Sequence, residues 1–319
     1  MAVFSKMLLP IALPLLSLFN SATAAPAASG TFNALTLNVA GLPPILNDNG
    51  IPGDKETNTK LIGTYFAQYN YSIIHIQEDF NFHAALYSTD THPYRTGTSG
   101  GVPFGSGLNT LSVFNWVDFV RTKWATCSIG SGDCLTPKGF TFMRVQVSQG
   151  VWIDAYNLHA DAGTEAGDLT ARAANLKQVS DYIAANSDGN AVLVFGDTNS
   201  RYTRAADIPG IFASANGMTD AWVQLAKGGV APVGGSPDLL CSNPSSTLSC
   251  EIVDKLWYRG SPALTLTAKK FDYVGEKFLY VKVTLYSSRK KNSTNFVSDS
   301  QMATSRVTTT PCSSTSPGP

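Results

Sequence analysis

The sequence predicts one α/β (α+β) domain. Three observations carry this expectation. Short apolar strands recur along the chain and end on polar residues. Only a few segments keep the three-to-four spacing of a helix. No internal repeat or interdomain linker divides the 319 residues.

The elements follow in order. Residues 1–24 read as an export leader. Lys6 precedes a short apolar run, Leu8 to Leu18, broken by Pro10 and Pro14, and Ala22-Thr23-Ala24 supply small residues for cleavage. The run is too short for a membrane span. The chain is therefore expected to be secreted and extracellular, without a transmembrane anchor. Thr31 to Val39 alternates as a strand and enters Asn38-Val39-Ala40-Gly41. Thr57 to Tyr69 reads as a helix. Tyr71 to Ile76 is a strand followed by Gln77-Glu78-Asp79. Thr96 to Leu108 is a glycine-rich loop, and it lacks the Lys-Ser/Thr ending of a nucleotide-binding loop. Phe140 to Val147 and Val151 to Leu158 read as paired strands. Leu169 to Ala185 reads as a helix with Leu176, Val179 and Ile183 on one face. Ala191 to Phe195, Val253 to Tyr258 and Ala263 to Ala268 complete the strands. The domain is expected over residues 25–280. Residues 281–319 form an atypical Ser/Thr/Lys-rich tail.

Composition narrows the function. Apolar residues make up 43%, which excludes wholesale disorder. Lys plus Arg total 23 against 23 Asp plus Glu. That balance argues against a protein that coats nucleic acid through surplus cations. It leaves room for an enzyme that grips a few phosphates. A monomer is expected.

The five cysteines fit an oxidising compartment. Cys127 with Cys134 and Cys241 with Cys250 form two close pairs, read as loop-stapling disulfides. Zinc is the alternative, though no histidine lies near either pair. Cys312 is left over. Glycosylation sequons stand at Asn70-Tyr71-Ser72 and Asn292-Ser293-Thr294.

Chemistry gathers at strand ends. Leu35-Thr36-Leu37 is followed by Asn38, and Ile73 to Gln77 by Glu78. Asp154 to Leu158 is followed by His159. Val192 to Gly196 is followed by Asp197, with Asn199 two further on. Rigid strand ends hold groups at catalytic precision. Asn, Glu and Asp together make a hard, oxygen-rich site suited to Mg²⁺, with Mn²⁺ as the alternative ion. His75, alternating with Ile74 and Ile76, reads as structural. His83, after Phe80 and Phe82, is a candidate for a substrate cleft. Arg201 or Arg204 is a candidate for a second phosphate.

These pieces resemble the endonuclease/exonuclease/phosphatase superfamily of DNase I-like metal-dependent phosphoesterases. The resemblance rests on Leu37-Asn38-Val39-Ala40-Gly41, Ile76-Gln77-Glu78, Asn157 to Gly163, Gly196-Asp197-Thr198-Asn199 and Asp254-Lys255-Leu256, in family order. The chain also looks like a secreted fungal branch of it. Gly105-Ser106-Gly107-Leu108 and Asn157 to Gly163 resemble sphingomyelinase-like members. Asp197 to Tyr202 echoes inositol-polyphosphate phosphatases. The resemblance implies a four-layer sandwich, two mixed β-sheets packed face to face with helices outside. It implies a metal on Glu78, helped by Asn38. It implies Asp197 and Asn199 at the attacking water, His159 at the phosphate, and Asp254 orienting a C-terminal histidine.

The ending departs from that pattern. Where the family closes with Ser-Asp-His and an apolar strand, this chain has Ser298-Asp299-Ser300 and no expected closing strand. Asp299 stays a candidate site residue. A genuine tail and a frame or splice error both remain open. The expected function is an extracellular Mg²⁺-dependent phosphoesterase acting on a small or lipid-headgroup phosphoester. A secreted DNase-like endonuclease and a catalytically impaired phosphate-ester-binding protein are the alternatives. Phe104, Trp116 and Trp124 are candidates for an apolar rim.

Overall fold

The computed structural model describes residues 29–48, 50, 53–282, 293–296 and 303–310. Residues 1–24, expected to be a leader, and Asn292, Asp299, Ser300 and Cys312 lie outside the described residues.

Two six-stranded sheets form the centre. The first contains β1 (Gly30–Asn38), β2 (Ile73–Gln77), β3 (Tyr94–Arg95), β4 (Asn109–Ser112), β11 (Thr265–Tyr273) and β14 (Ala303–Thr310). The second contains β5 (Trp116–Lys123), β6 (Gly139–Ser148), β7 (Val151–Leu158), β8 (Val192–Asp197), β9 (Thr219–Asp220) and β10 (Asp254–Arg259). A separate pair joins β12 (Leu279–Lys282) to β13 (Ser293–Phe296). The helices are α1 (Lys55–Tyr69), α2 (His83–Thr89), α3 (Ala166–Asn186), α4 (Ile211–Asn216) and α5 (Ala221–Ala226).

Strand alternation explains the layering, because successive side chains face opposite ways. Phe32, Ala34 and Ile73 of the first sheet pack with Met143, Ile153, Leu193 and Phe195 of the second. The opposite face of the first sheet, Leu35, Leu37, Ile74 and Ile76, packs on Ile62 and Phe66 of α1 and Leu86 of α2. The outer face of the second sheet, Phe140, Tyr156, Val192 and Val194, packs on Leu176, Val179 and Ile183 of α3. The result is the four-layer α/β sandwich that the resemblance implied. His75 is structural, as expected. Its ring stacks on Phe195 at 3.6 Å, and Nδ1 donates to the Phe195 carbonyl at 3.0 Å. Burial drives its pKa down to about 3 and keeps it neutral.

One expectation needs correcting. The sequence suggested a sheet without its closing strand, yet β14 runs antiparallel between β1 and β11. Its run of Val307, Thr308, Thr309 and Thr310 is β-branched, which suits a strand despite its polar composition. The disulfides Cys127–Cys134 and Cys241–Cys250 are both formed. Among the described residues, no helix is long and apolar enough to cross a membrane.

Candidate active site

The two sheets meet at one end, where the strand-end residues converge. β1 and β2 run parallel, which sets Asn38 beside Gln77 and brings Glu78 to the lip of the first sheet. β7 runs parallel to β8, and His159 forms a bridge with Asp197 on the second sheet. Asn38 Nδ2 donates to Glu78 Oε1 at 3.0 Å and to Asp197 Oδ2 at 3.2 Å, so one amide ties the sheets together.

The backbone under this cluster is strained. Ala40, Glu78 and Asn199 have φ of 50°, 56° and 49°, in the left-handed region. Such conformations cost on the order of 1–3 kcal/mol each and persist where the surroundings over-determine them. Around Glu78 they do. Its carbonyl accepts from Gly41 N at 3.1 Å and Phe80 N at 2.8 Å, while Asp79 N donates to Gly107 O at 2.9 Å. A Cβ on Gly41 would fall 2.3 Å from Glu78 O, and one on Gly107 would fall 2.9 Å from Glu78 Cα. Gly107 also has φ of +69°. Only glycine satisfies both demands there.

His159 is buried, and its Nε2 lies 3.6 Å from Asp197 Oδ2 and 3.2 Å from Lys138 Nζ. Burial and then the Lys138 charge lower its pKa, so the imidazole is neutral at pH 7. Lys138 is itself paired with Asp133. Sequence reasoning missed Lys138. Its signal lies in cross-strand register: Phe140 faces Leu158, so the residues just before β6 stand beside those just after β7.

A brace holds the loops that follow β7 and β8. Asn199 Nδ2 donates to Ala160 O at 3.0 Å. The fully buried Arg172 of α3 donates to the carbonyls of Asp161 at 3.0 Å and Gly163 at 2.9 Å, and to Asp207 Oδ1 at 2.9 Å. Asp207 Oδ2 accepts from Arg201 N at 2.8 Å. The brace therefore fixes the loop after β7 against the loop after β8.

Asp254 pairs directly with Asp197 across β10 and β8 and is 1% exposed. Burial, followed by the Asp197 charge, raises its pKa well above the usual carboxylate range. Among the described residues, both oxygens of Asp254, Glu78 Oε2, His159 Nδ1 and Arg201 Nε are buried without a hydrogen-bond partner. Buried polar atoms are rarely left so. These four residues stand at the ends of β2, β7, β8 and β10 or in the loops beside them.

Two cavities adjoin at Glu78. The smaller and more polar one, of about 290 Å³, is lined by Asn38, Glu78, Asp197, Asn199 and Arg201 together with Leu240, Ile252 and Val253. A larger one of about 700 Å³ is lined by Glu78 and Lys138 and by Leu46, Phe80, Pro103 and Leu135. Arg201 thus stands with Asn38, Glu78, Asp197 and Asn199, whereas the buried His159 and Asp254 line neither cavity. Nor does His83, whose Nδ1 is held 2.7 Å from Asp79 Oδ2. Among the described residues, no group of three or more His, Cys, Asp and Glu side chains is arranged as a metal cage.

Comparison with known proteins agrees with this geometry. The Endonuclease/Exonuclease/phosphatase family 2 matches residues 53–230, more than half of the chain. A sphingomyelinase of Mycobacterium tuberculosis (strain ATCC 25618 / H37Rv) is 38% identical over 261 residues, 80% of this chain and 50% of that protein. The chain therefore spans about half the length of the curated relatives it matches. Two solved structures share the fold. Beta toxin from Staphylococcus aureus with bound magnesium ions has a TM-score of 0.58 at 16% identity, covering 86% of this chain and 99% of that one. Sphingomyelinase C from Streptomyces griseocarneus has a TM-score of 0.56 at 18% identity, covering 88% and 99%. With the family matched across the segment that carries Glu78, His159 and Asp197, the chain belongs to the Endonuclease/Exonuclease/phosphatase family 2.

Proposed function

We propose that this protein hydrolyses a phosphoester, with a small or lipid-headgroup phosphodiester as the substrate class. The observation that carries this reading is the Asn38–Glu78–Asp197 contact between the two sheets. It places a carboxylate with an unpartnered oxygen, Glu78 Oε2, beside a second carboxylate and a neutral imidazole.

The residues fit a magnesium ion. Mg²⁺ keeps several waters and binds through one or two carboxylates rather than an all-protein cage. Glu78 would hold it, with Asn38 fixing the carboxylate. Magnesium, or manganese in its place, supplies charge to offset that of the phosphate oxygens.

The chain's own groups do the remaining work. Asp197 accepts the proton of the attacking water. Asn38 and the backbone N–H of Asn199 orient its carboxylate, the latter donating to Oδ1 at 3.0 Å. Lys138 and Arg201 bring positive charge to the phosphate from opposite cavities. Neutral His159 donates to a non-bridging oxygen. Burial, and then the Asp197 charge, favour the protonated form of Asp254, which limits the negative charge beside Asp197. Asp299 is proposed to complete this end of the site.

The charge balance favours a small or lipid phosphodiester over DNA, which needs several backbone phosphates held at once. The relatives named sphingomyelinase support the same preference. The paired cysteines support export to an oxidising compartment, with the domain starting at residue 25 after a removed leader and, through β14, reaching past 280. The protein is proposed to act as a monomer.

The test compares three substrates at equal magnesium: sphingomyelin dispersed in detergent, a phosphoinositide, and plasmid DNA. Release of phosphocholine or phosphate, without plasmid nicking, is expected. Nicking alone would replace the lipid preference with the endonuclease alternative. Binding without turnover of any of the three would favour the impaired phosphate-ester-binding protein.

A further inference from the structure

The larger cavity opens between three loops: residues 41–48 after β1, residues 97–108 before β4, and the disulfide-closed segment from Cys127 to Leu135. Each holds a large apolar side chain in solvent. Ile45 is 92% exposed, Phe104 84%, Ile129 81%, Leu135 69% and Leu46 63%. Single exposed apolar residues need no explanation, but five of them on the three loops that line one cavity do. Leu46, Pro103 and Leu135 line the cavity of about 700 Å³, and Phe104 with Leu135 lines a neighbouring one of about 340 Å³.

The loops are held in place. Buried Lys55 donates from Nζ to the carbonyls of Ala40, Leu42 and Asn47 at 2.9, 3.0 and 2.7 Å, which fixes the first loop. The disulfide closes the third. Ordering them on contact therefore costs little entropy.

Charge selects the partner. Residues 97–108 contain no charged side chain, and residues 41–48 contain only Asp48. In the third loop the one charged residue, Asp133, is buried against Lys138. A surface for anionic lipid would carry clustered Lys and Arg, and this rim carries none. The cavity then continues inward to Glu78 and Lys138. An amphiphile with a phosphate at one end matches that passage from apolar to polar.

We propose that the rim of Ile45, Leu46, Phe104, Ile129 and Leu135 docks on a zwitterionic phospholipid bilayer, with a headgroup phosphate entering toward Glu78 and Lys138. The placement of the headgroup rests on the phosphoesterase reading above. The docking itself does not, so the experiment measures the two separately.

Binding of the full chain to phosphatidylcholine vesicles is measured by co-sedimentation in EDTA, where turnover is suppressed. The expected result is partitioning that weakens on the order of tenfold or more in Phe104→Asp and again in Ile129→Asp, from loss of buried apolar area. Phe104→Trp should keep binding and blue-shift its fluorescence on vesicles. A soluble phosphodiester, p-nitrophenylphosphorylcholine, should be hydrolysed equally by parent and variants, showing that they fold. The proposal is overturned if the parent ignores phosphatidylcholine, or binds only when phosphatidylserine is added. It is overturned equally if the variants bind as the parent does, or if they instead split a dimer seen by light scattering. Vesicle binding lost in the variants, with no turnover of the soluble ester by any version, would sustain docking and remove the phosphoesterase reading.

Discussion

The two cavities that share Glu78 are built by opposite means. The polar one is walled by strand ends. Asn38, Asp197 and Asn199 sit at the ends of β1 and β8, tied by hydrogen bonds and backed by the buried Arg172–Asp207 pair. The apolar one is walled by loops, fixed at intervals by Lys55 and by the Cys127–Cys134 disulfide. Strand ends give positional precision, which proton transfer and phosphate contact need. Loops give reach and exposed area, which a surface contact needs. The difference teaches that damage to the two walls should separate into loss of chemistry and loss of capture.

The largest effect should come from the brace behind the polar wall. Arg172→Met removes one partner of the buried Asp207, which keeps Arg204 Nη1 at 3.0 Å, and leaves the carbonyls of Asp161 and Gly163 without their donor; the loss should approach the about 3–5 kcal/mol of a broken buried pair. Urea unfolding should show that loss, with a smaller loss in Arg172→Lys. A variant within 1 kcal/mol of the parent would show that the loops hold themselves.

Next is Asp197→Asn, which keeps the volume and removes the proton acceptor. The rate on a soluble phosphodiester should fall on the order of 10²-fold or more, while vesicle binding stays at the parental level. An unchanged rate would take Asp197 out of the chemistry.

The apolar wall gives the converse result. The double variant Cys127→Ser/Cys134→Ser should lose about 2–3 kcal/mol in the loop-entropy treatment. It should lose vesicle binding more than soluble turnover. Equal loss of both would mean that the walls are not separable.

The smallest shift is expected at the seam. A histidine whose folded pKa lies below its unfolded value stabilises the fold above the unfolded pKa, and that contribution is lost as pH falls toward the folded one. Neutral His159 should therefore keep the rate constant to below pH 6.5. Lys138→Met removes one cause of the lowering, so the acid limb of the rate profile should move up in pH. A limb that stays in place would exclude Lys138 from the site's electrostatics.

Much of the polar wall was legible because apolar strands ending on Asn38, Glu78, His159 and Asp197 state both their element and its end. Other parts were hidden for physical reasons. β5 escaped because a register shift between Val117 and Val120, with Asp118 at φ 58°, breaks the period of two. The helices α2, α4 and α5 are too short for helical periodicity to show. Strand β14 was obscured by its polar composition. His83 lies outside both cavities, and nothing local in the sequence shows that Asp79 takes its ring nitrogen. The apolar rim is dispersed over three loops far apart in sequence, and only the fold assembles it.

The most direct test is the magnesium dependence of Glu78→Gln. The substitution removes one charge and almost no volume, and Asn38 Nδ2 can still donate to the amide oxygen. Hydrolysis of p-nitrophenylphosphorylcholine would be followed across a magnesium titration for both proteins, with circular dichroism confirming equal fold. The expected result is parental turnover that rises with magnesium and is abolished by EDTA, and a variant whose residual turnover barely responds to the ion. A variant that matches the parent at limiting magnesium would contradict Glu78 as the metal carboxylate and, with it, the assignment of the strand-end cluster as the catalytic centre.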